Sequence, residues 1–292
     1  MKVFILGAGK VGTALARGLR AHGDTVTLRA ARKGLPKQRI DADIVVLSVR
    51  EKQLAELSAE LAAKGLLKKT AVVVHNAGSL PADTLAGLRG ACAGVAQMHP
   101  MISFASTSSF PTLARGHCHV KGDPVAEKRA RTLAKHLGMT PRTFAKLDTV
   151  GYHAAAGLVA NGAAALAAIG AELLVVSGVP RADAPKMLGP LLRSVAENVE
   201  ALGFPDALTG PVRRGDAGAI ERQIALLREK LADAVPLFVA SAWAQLPLAR
   251  KIGDAPPESF DAMARVLTTA MEHSLTSGPS KPSSRGAARA GR

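Results

Sequence analysis

Aromatic side chains are scarce: one Trp, one Tyr and seven Phe make up 3% of the 292 residues. Cores built without large rings rest on Ala, Leu and Val, and a surface that binds nucleic-acid bases by stacking has little to stack with. Cysteine is almost missing as well. Cys92 and Cys118 form no CxxC pair, so neither a disulfide framework nor a cysteine-based zinc site is expected, no metal is expected, and a reducing, cytoplasmic setting is. No apolar run has the length of a membrane span. The longest, Ala154 to Ile169, is broken by Gly157, Asn161 and Gly162, which predicts a buried core helix with apolar neighbours on every side or a dimer interface, and no membrane partner. Acid is missing after Glu272, where Lys281, Arg285, Arg289 and Arg292 supply four of the +15 formal charges. The remaining excess is dispersed, which argues for a solvated basic surface suited to anionic small molecules rather than for a nucleic-acid partner.

What is present is alternation. Lys2-Leu6, Thr25-Arg29, Asp43-Val49, Thr70-His75, Val95-Met98 and Cys118-Lys121 read as strands, and Val11-Ala21, Glu51-Ala63, Ala82-Leu88 and Val125-Leu137 carry helical spacing between them. The short apolar opening stops at Gly7 and runs into a turn, so it reads as a strand and not as a signal peptide. Strands alternating with helices predict an α/β fold: a doubly wound parallel sheet over residues 1–147. From Asp148 only helical stretches follow, giving an all-α second domain over 148–275 and a disordered basic tail over 276–292.

Gly7-Ala8-Gly9-Lys10-Val11-Gly12 sits between the first strand and the first helix, the context in which GxGxxG predicts a Rossmann-type dinucleotide site. Gly7 permits the turn, Gly9 lets the backbone approach a pyrophosphate, and Gly12 lets the helix pack on the strand. Ser48 and Val49, at the end of the third strand, border the same edge. The second strand offers no acid to ribose hydroxyls; Arg29, Arg32 and Lys33 stand there instead and suit a 2′-phosphate, so NADP(H) is the expected cofactor.

Hydride transfer asks the protein for orientation and a proton donor, which points to polar residues at carboxyl ends of strands. His75-Asn76-Ala77-Gly78-Ser79 follows one strand and His99-Pro100-Met101 the next, and the Ser- and Thr-rich stretch from Ile102 to Arg115 is a candidate lid. On the first helix of the second domain His153, Gly157 and Asn161 share a face. The expected catalytic set is therefore His99, His153, Asn161 and Ser79. Further on, Gly210-Pro211-Val212-Arg213-Arg214-Gly215-Asp216 joins two helices, with Arg214 a candidate carboxylate partner and Asp216 a candidate helix cap and substrate contact.

With these residues laid out, positions 1 to about 273 resemble a bacterial Rossmann-like family whose helical second domain is a domain of unknown function. The family is related to the C-terminal domain of phosphogluconate dehydrogenase, and to ketopantoate reductase, pyrroline-carboxylate reductase and prephenate or arogenate dehydrogenases. The likeness rests on Gly7 to Gly12, on His99-Pro100 with Ser103-Phe104, on Tyr152-His153-Ala154-Ala155-Ala156 through Asn161, and on Gly210-Pro211 with Arg214-Gly215-Asp216. It implies an NADP-linked oxidoreductase fold and a homodimer built through the helical domain, and brings no established substrate; the residues themselves lead to the expectation of a reductase or dehydrogenase for a small, anionic carbonyl, hydroxy or imine compound in the cleft between the domains. β-Hydroxyacid dehydrogenases place a Lys four residues before the Asn that Asn161 matches; here Gly157 stands there and His153, one turn earlier, is the substitute. That replacement also motivates the alternative of a non-catalytic NADP(H) sensor, beside a prephenate or arogenate dehydrogenase-like enzyme.

Overall fold

A computed structural model describes residues 1–276. The tail expected over 276–292 lies outside the described residues except for Thr276, which ends the last helix.

Seven strands form one sheet: β1 (Lys2–Leu6), β2 (Thr25–Arg29), β3 (Ile44–Leu47), β4 (Val72–His75), β5 (Gly94–Pro100), β6 (His117–Gly122) and β7 (Thr140–Arg142), in the order β2-β1-β3-β4-β5-β6-β7. The chain starts at β1, moves to β2 on one side and then crosses to β3 on the other, so the strand order reverses at β1, where open α/β sheets bind ligands. The strands β1, β3 and β4 are nearly continuous runs of Val, Ile and Leu because both faces of a parallel sheet are covered. Val3, Ile5, Val46 and Val74 pack on one face with α1 (Lys10–His22) and α3 (Pro124–His136). Phe4, Leu6, Val45 and Val73 pack on the other, beneath α2 (Leu54–Ala63) and the segment Ala82–Leu88.

Three features differ from the expectation. The strand β6 runs antiparallel to β5. Residues 101–116 between them hold no helix, and a parallel neighbour needs a crossover that an antiparallel one does not. The strand β7, three residues long with Pro141 in its middle, carries no strand signal and pairs with β6 at the sheet edge, where proline is tolerated. Ala82–Leu88 is a 3-10 helix and not an α-helix.

From Thr149 onward the described chain is helical, as expected: α4 (Thr149–Val176), α5 (Ala184–Leu202), α6 (Ala217–Lys230), α7 (Val235–Ile252) and α8 (Pro257–Thr276), with one short 3-10 turn at Ala232–Ala234. The chain separates into two compact units, Met1–Ala160 and Asn161–Arg292, so the division falls inside α4. In the second unit α6, α7 and α8 enclose a core of Ile220, Ile224, Val239, Leu246, Phe260 and Met263. The expectation of a buried core helix for the apolar run is corrected. The helix α4 has no buried residue, and Leu158 and Val159 are 77% and 71% exposed. By length and composition alone α4 is also long and apolar enough to cross a membrane, because helical residues on both sides of the run extend it to 28. Apolar side chains continue along α5, where Met187, Leu191 and Val195 are exposed.

Leu15 of α1 is fully buried against the sheet. Leu15→Ala removes packing that the neighbours cannot refill and lowers stability by about 2–5 kcal/mol, measured as the shift of the urea unfolding midpoint at constant slope.

Candidate active site

The glycine turn is dictated by contact. Gly7 has φ +116°, and a Cβ there would stand 2.1 Å from the carbonyl oxygen of Ser48; a Cβ on Gly12 would stand 1.9 Å from the carbonyl oxygen of Gly7. Neither position admits a side chain. Gly9 differs: nothing lies within 4 Å of where its Cβ would be, and it caps α1 without any side-chain hydrogen bond. The first-turn N–H groups of α1 therefore face open space at the positive end of the helix dipole, which fits a pyrophosphate laid against Gly9. Ala8 and Lys10 are exposed around this opening, whereas Val11 is partly buried against the core and Val49 packs on the opposite face of the sheet.

The basic residues after β2 divide. The Arg29 guanidinium is spent on backbone: Nε donates to the Gly34 carbonyl (2.7 Å) and Nη2 to that of Lys33 (2.7 Å). It shapes the loop. The Arg32 and Lys33 side chains are exposed and have no hydrogen-bond or ion-pair partner among the described residues.

Ser48 carries the contact onward. Its hydroxyl donates to Asn76 Oδ1 (2.5 Å), Asn76 Nδ2 donates to the Met98 carbonyl (2.6 Å), and the Asn76 carbonyl accepts from His99 Nδ1 (3.0 Å). Because a carbonyl only accepts, His99 Nδ1 carries the hydrogen and Nε2 the lone pair. The ring of His99 meets that of His153 edge-on at 5.6 Å and that of Tyr152 edge-on at 5.7 Å. Gly78 lies between the two imidazoles. A Cβ there would stand 2.4 Å from His153 Nδ1 and 2.7 Å from His99 Cε1, so only glycine lets β4's trailing loop pass between them. Gln97 Nε2 ties that loop down through the carbonyls of Ala77 (2.8 Å) and Gly78 (3.2 Å). Ser79 donates to the Glu51 carboxylate (2.8 Å) and accepts Thr149 Oγ1 at its carbonyl (2.8 Å), fastening the loop to the start of α4.

Directly across the antiparallel pair from His99 stands His119, 2% exposed, with Nδ1 unpartnered and its ring 5.7 Å from Tyr152. Burial pushes His99 and His119 below the usual imidazole range, the Asn76 carbonyl opposing it for His99. Burial takes His75, hydrogen-bonded to the Pro81 carbonyl, down to about 4. Burial also pushes the Tyr152 hydroxyl up to about 12. Around neutral pH His75, His99 and His119 are therefore uncharged.

The structure thus brings His99, His153 and Ser79 to one edge of the first unit, with Asn76, Gly78, Tyr152 and His119 as members the sequence reading left out of the site. Asn76 and Gly78 stand in the strand-end segment already singled out, and Tyr152 adjoins His153. His119 gave no such signal, because its strand leads away from the carboxyl edge. Asn161 belongs to the second unit and is exposed on α4. Also there, Asp216 accepts from the Ala219 N–H (2.9 Å) and caps α6, while Arg213 pairs with Asp254 (2.6 Å). Arg214 is exposed with no partner among the described residues. The stretch 102–115 is anchored rather than free: Ile102, Phe104 and Leu113 pack on the core, and the Arg17 guanidinium lies 4.6 Å over the Phe110 ring.

Comparison with known proteins follows the same outline. Residues 117–242 match the domain of unknown function DUF2520. Among solved structures the chain is similar to a protein of Bacteroides fragilis assigned as an NADP oxidoreductase (20% identity, 84% of this chain and 98% of that one, TM-score 0.66). A Thermotoga maritima protein matches at 19% identity over 85% and 98% of the two chains, with TM-score 0.62. The 1-pyrroline-5-carboxylate reductase of Streptococcus pyogenes matches at 17% identity over 93% and 98%, with TM-score 0.55. At these identities the likeness establishes the fold: a Rossmann-like unit followed by helices. No curated protein matches the sequence.

Three buried imidazoles with lowered pKa make stability depend on pH. As pH falls through about 6.5 the unfolded chain binds protons before the folded one, so stability is complete above that value and declines toward pH 4. His75 alone accounts for a loss of about 3 kcal/mol across that window. Urea unfolding at about pH 7.5 and about pH 4.5 reads the slope, and His75→Gln, which keeps a donor but does not titrate there, should flatten it.

Proposed function

We propose that this protein is an NADP(H)-dependent oxidoreductase moving hydride to or from a small, anionic carbonyl, hydroxy or imine compound, with His99 as its proton-transferring residue. One observation carries the reading: the glycine cradle and the His99–His153 pair are joined by an unbroken chain of contacts through Ser48 and Asn76. Gly7, Gly9 and Gly12 would hold the pyrophosphate, and Arg32 and Lys33, rather than Arg29, are available to a 2′-phosphate. The cofactor, when bound, supplies or accepts the hydride; the protein's share is orientation and the proton.

The neutral tautomer of His99 presents a lone pair at Nε2. In the oxidising direction that atom takes the substrate's hydroxyl proton as hydride leaves the carbon, and in the reducing direction the imidazolium returns it. His153, edge-on to His99, bears on which of the two rings holds the proton. Tyr152, kept protonated by burial, is a hydrogen-bond donor beside them. The similarity of fold to NADP oxidoreductases and pyrroline-carboxylate reductases supports the reaction class without naming the substrate.

Calorimetric titration with NADPH and NADH in parallel tests the cofactor premise. NADPH is expected to bind at least tenfold tighter, about 1.4 kcal/mol, and Arg32→Ala with Lys33→Ala should erase most of that preference while Arg29→Ala changes loop stability. With a substrate in hand, His99→Ala should lower kcat by about 10²–10⁴-fold. Tight NADPH binding with no turnover across a carbonyl and imine panel would favour the sensor reading instead.

The reading includes a second copy of the chain. The helix α4 bears Glu172 as its single charged side chain, and its exposed apolar residues offer a surface that another copy can match by symmetry. Light scattering should give a dimer, and Leu158→Glu a monomer; a monomeric wild type that partitions onto lipid vesicles would overturn this.

A further inference from the structure

Away from the imidazole pair, the ends of two helices distant in sequence, α1 and α3, converge on one buried carboxylate. Asp24, 7% exposed, begins the turn into β2. His22 is the last residue of α1 and His136 the last residue of α3. Both present Nδ1 to the Asp24 carboxylate: His136 Nδ1 lies 2.9 Å from Oδ2 and His22 Nδ1 3.3 Å from the same oxygen. The other oxygen, Oδ1, is held by the Met1 ammonium at 2.7 Å. The three ligand atoms lie within 4.8 Å of one another.

We propose that His22, Asp24 and His136 form a binding site for a divalent transition-metal ion of the zinc class, with water completing the coordination. Ligand atoms about 2.0–2.2 Å from a shared ion stand roughly 3 Å apart, which is the spacing of both Nδ1 atoms from Oδ2. Two imidazoles and a carboxylate are a donor set that such an ion takes. The field is right as well. Two helices end here, and their C-terminal carbonyls add partial negative charge beside the carboxylate, favouring a cation. The Met1 ammonium on Oδ1 orients the carboxylate from outside the coordination shell and leaves Oδ2 for the ion. In the ion-free arrangement the two rings stack at 3.9 Å, so seating the ion tilts one of them; His22, 46% exposed in its side chain, is free to do so. The site lies outside the hydride-transfer machinery, and its consequence is a clip between α1, β2 and α3. Sequence spacing could not reveal it, because His136 is 112 residues from Asp24.

The experiment is a zinc titration of the full chain, without an N-terminal extension, at about pH 7.5 by calorimetry, with the visible spectrum of bound Co²⁺ as a second readout. The expected result is one ion per chain, bound at least tenfold more weakly by His22→Ala and by His136→Ala, with Zn²⁺ raising the Tm of the wild type and of neither variant. His22→Ala leaves the contacts of Asp24 with Met1 and His136 in place, so loss of binding there is not loss of fold; far-UV circular dichroism checks it. Absence of stoichiometric binding at micromolar Zn²⁺ would overturn the proposal. So would binding retained in both variants, or binding abolished instead by His99→Ala with His153→Ala.

Discussion

The approach of Gly7 and Gly12 to Ser48 is the constraint on which the rest depends. The backbone of Ser48 occupies the space where a Cβ on Gly7 would be, and the Gly7 carbonyl that where a Cβ on Gly12 would be. Closing the turn this tightly brings the N-terminus of α1 to the edge of β1 with its first N–H groups unspent. It also fixes Ser48, whose hydroxyl holds Asn76, whose carbonyl holds His99. One steric demand at the first turn is thus passed, in two hydrogen-bonded steps, to His99, the residue proposed to handle the proton. Each step lies at the carboxyl end of a different strand, β3, β4 and β5 in turn, and the parallel register of those strands places the ends side by side.

Electrostatics then decides what that residue can do. Two imidazolium ions with ring centres 5.6 Å apart would repel by about 3 kcal/mol at an effective dielectric near 20. His99 is also half-buried, and the buried His119 across the ladder adds a third ring to the same low-dielectric region. Desolvation dominates the lowered affinity of His99 for protons, and the neighbouring imidazole adds to it. A neutral His99, with its lone pair at Nε2, is the resting form. That form suits the proposed removal of a hydroxyl proton.

Much of this was legible in the sequence, for identifiable reasons. Contact between backbone and ligand forces glycine at fixed spacing, so Gly7, Gly9 and Gly12 announce both turn and cofactor. Strands buried on both faces must be apolar throughout, so β1, β3 and β4 are plain. His99 and His153 were visible as polar residues at a strand end and on a helix face. The antiparallel β6 was not legible, because direction is set by how the connection runs and residues 101–116 look the same either way. Nor was the role of Arg29: composition identifies a guanidinium but not whether carbonyls of Lys33 and Gly34 already claim it. Gly78 has the same character. Its φ is ordinary, and only the two imidazoles on either side, drawn from β5 and α4, explain why no side chain fits.

The helix α4 joins these lines of argument. Its first turn carries Tyr152 and His153 into the imidazole cluster, and Leu158 and Val159, one to two turns on, are among its most exposed apolar residues. A helix transmits displacement along its axis because each turn is hydrogen-bonded to the next. Whatever covers Leu158 and Val159 therefore bears on where His153 stands relative to His99, and a ring separation of 5.6 Å leaves little room for error. An apolar surface this close to the His99–His153 pair would give the proposed association a direct mechanical route to the proposed chemistry, through one continuous element.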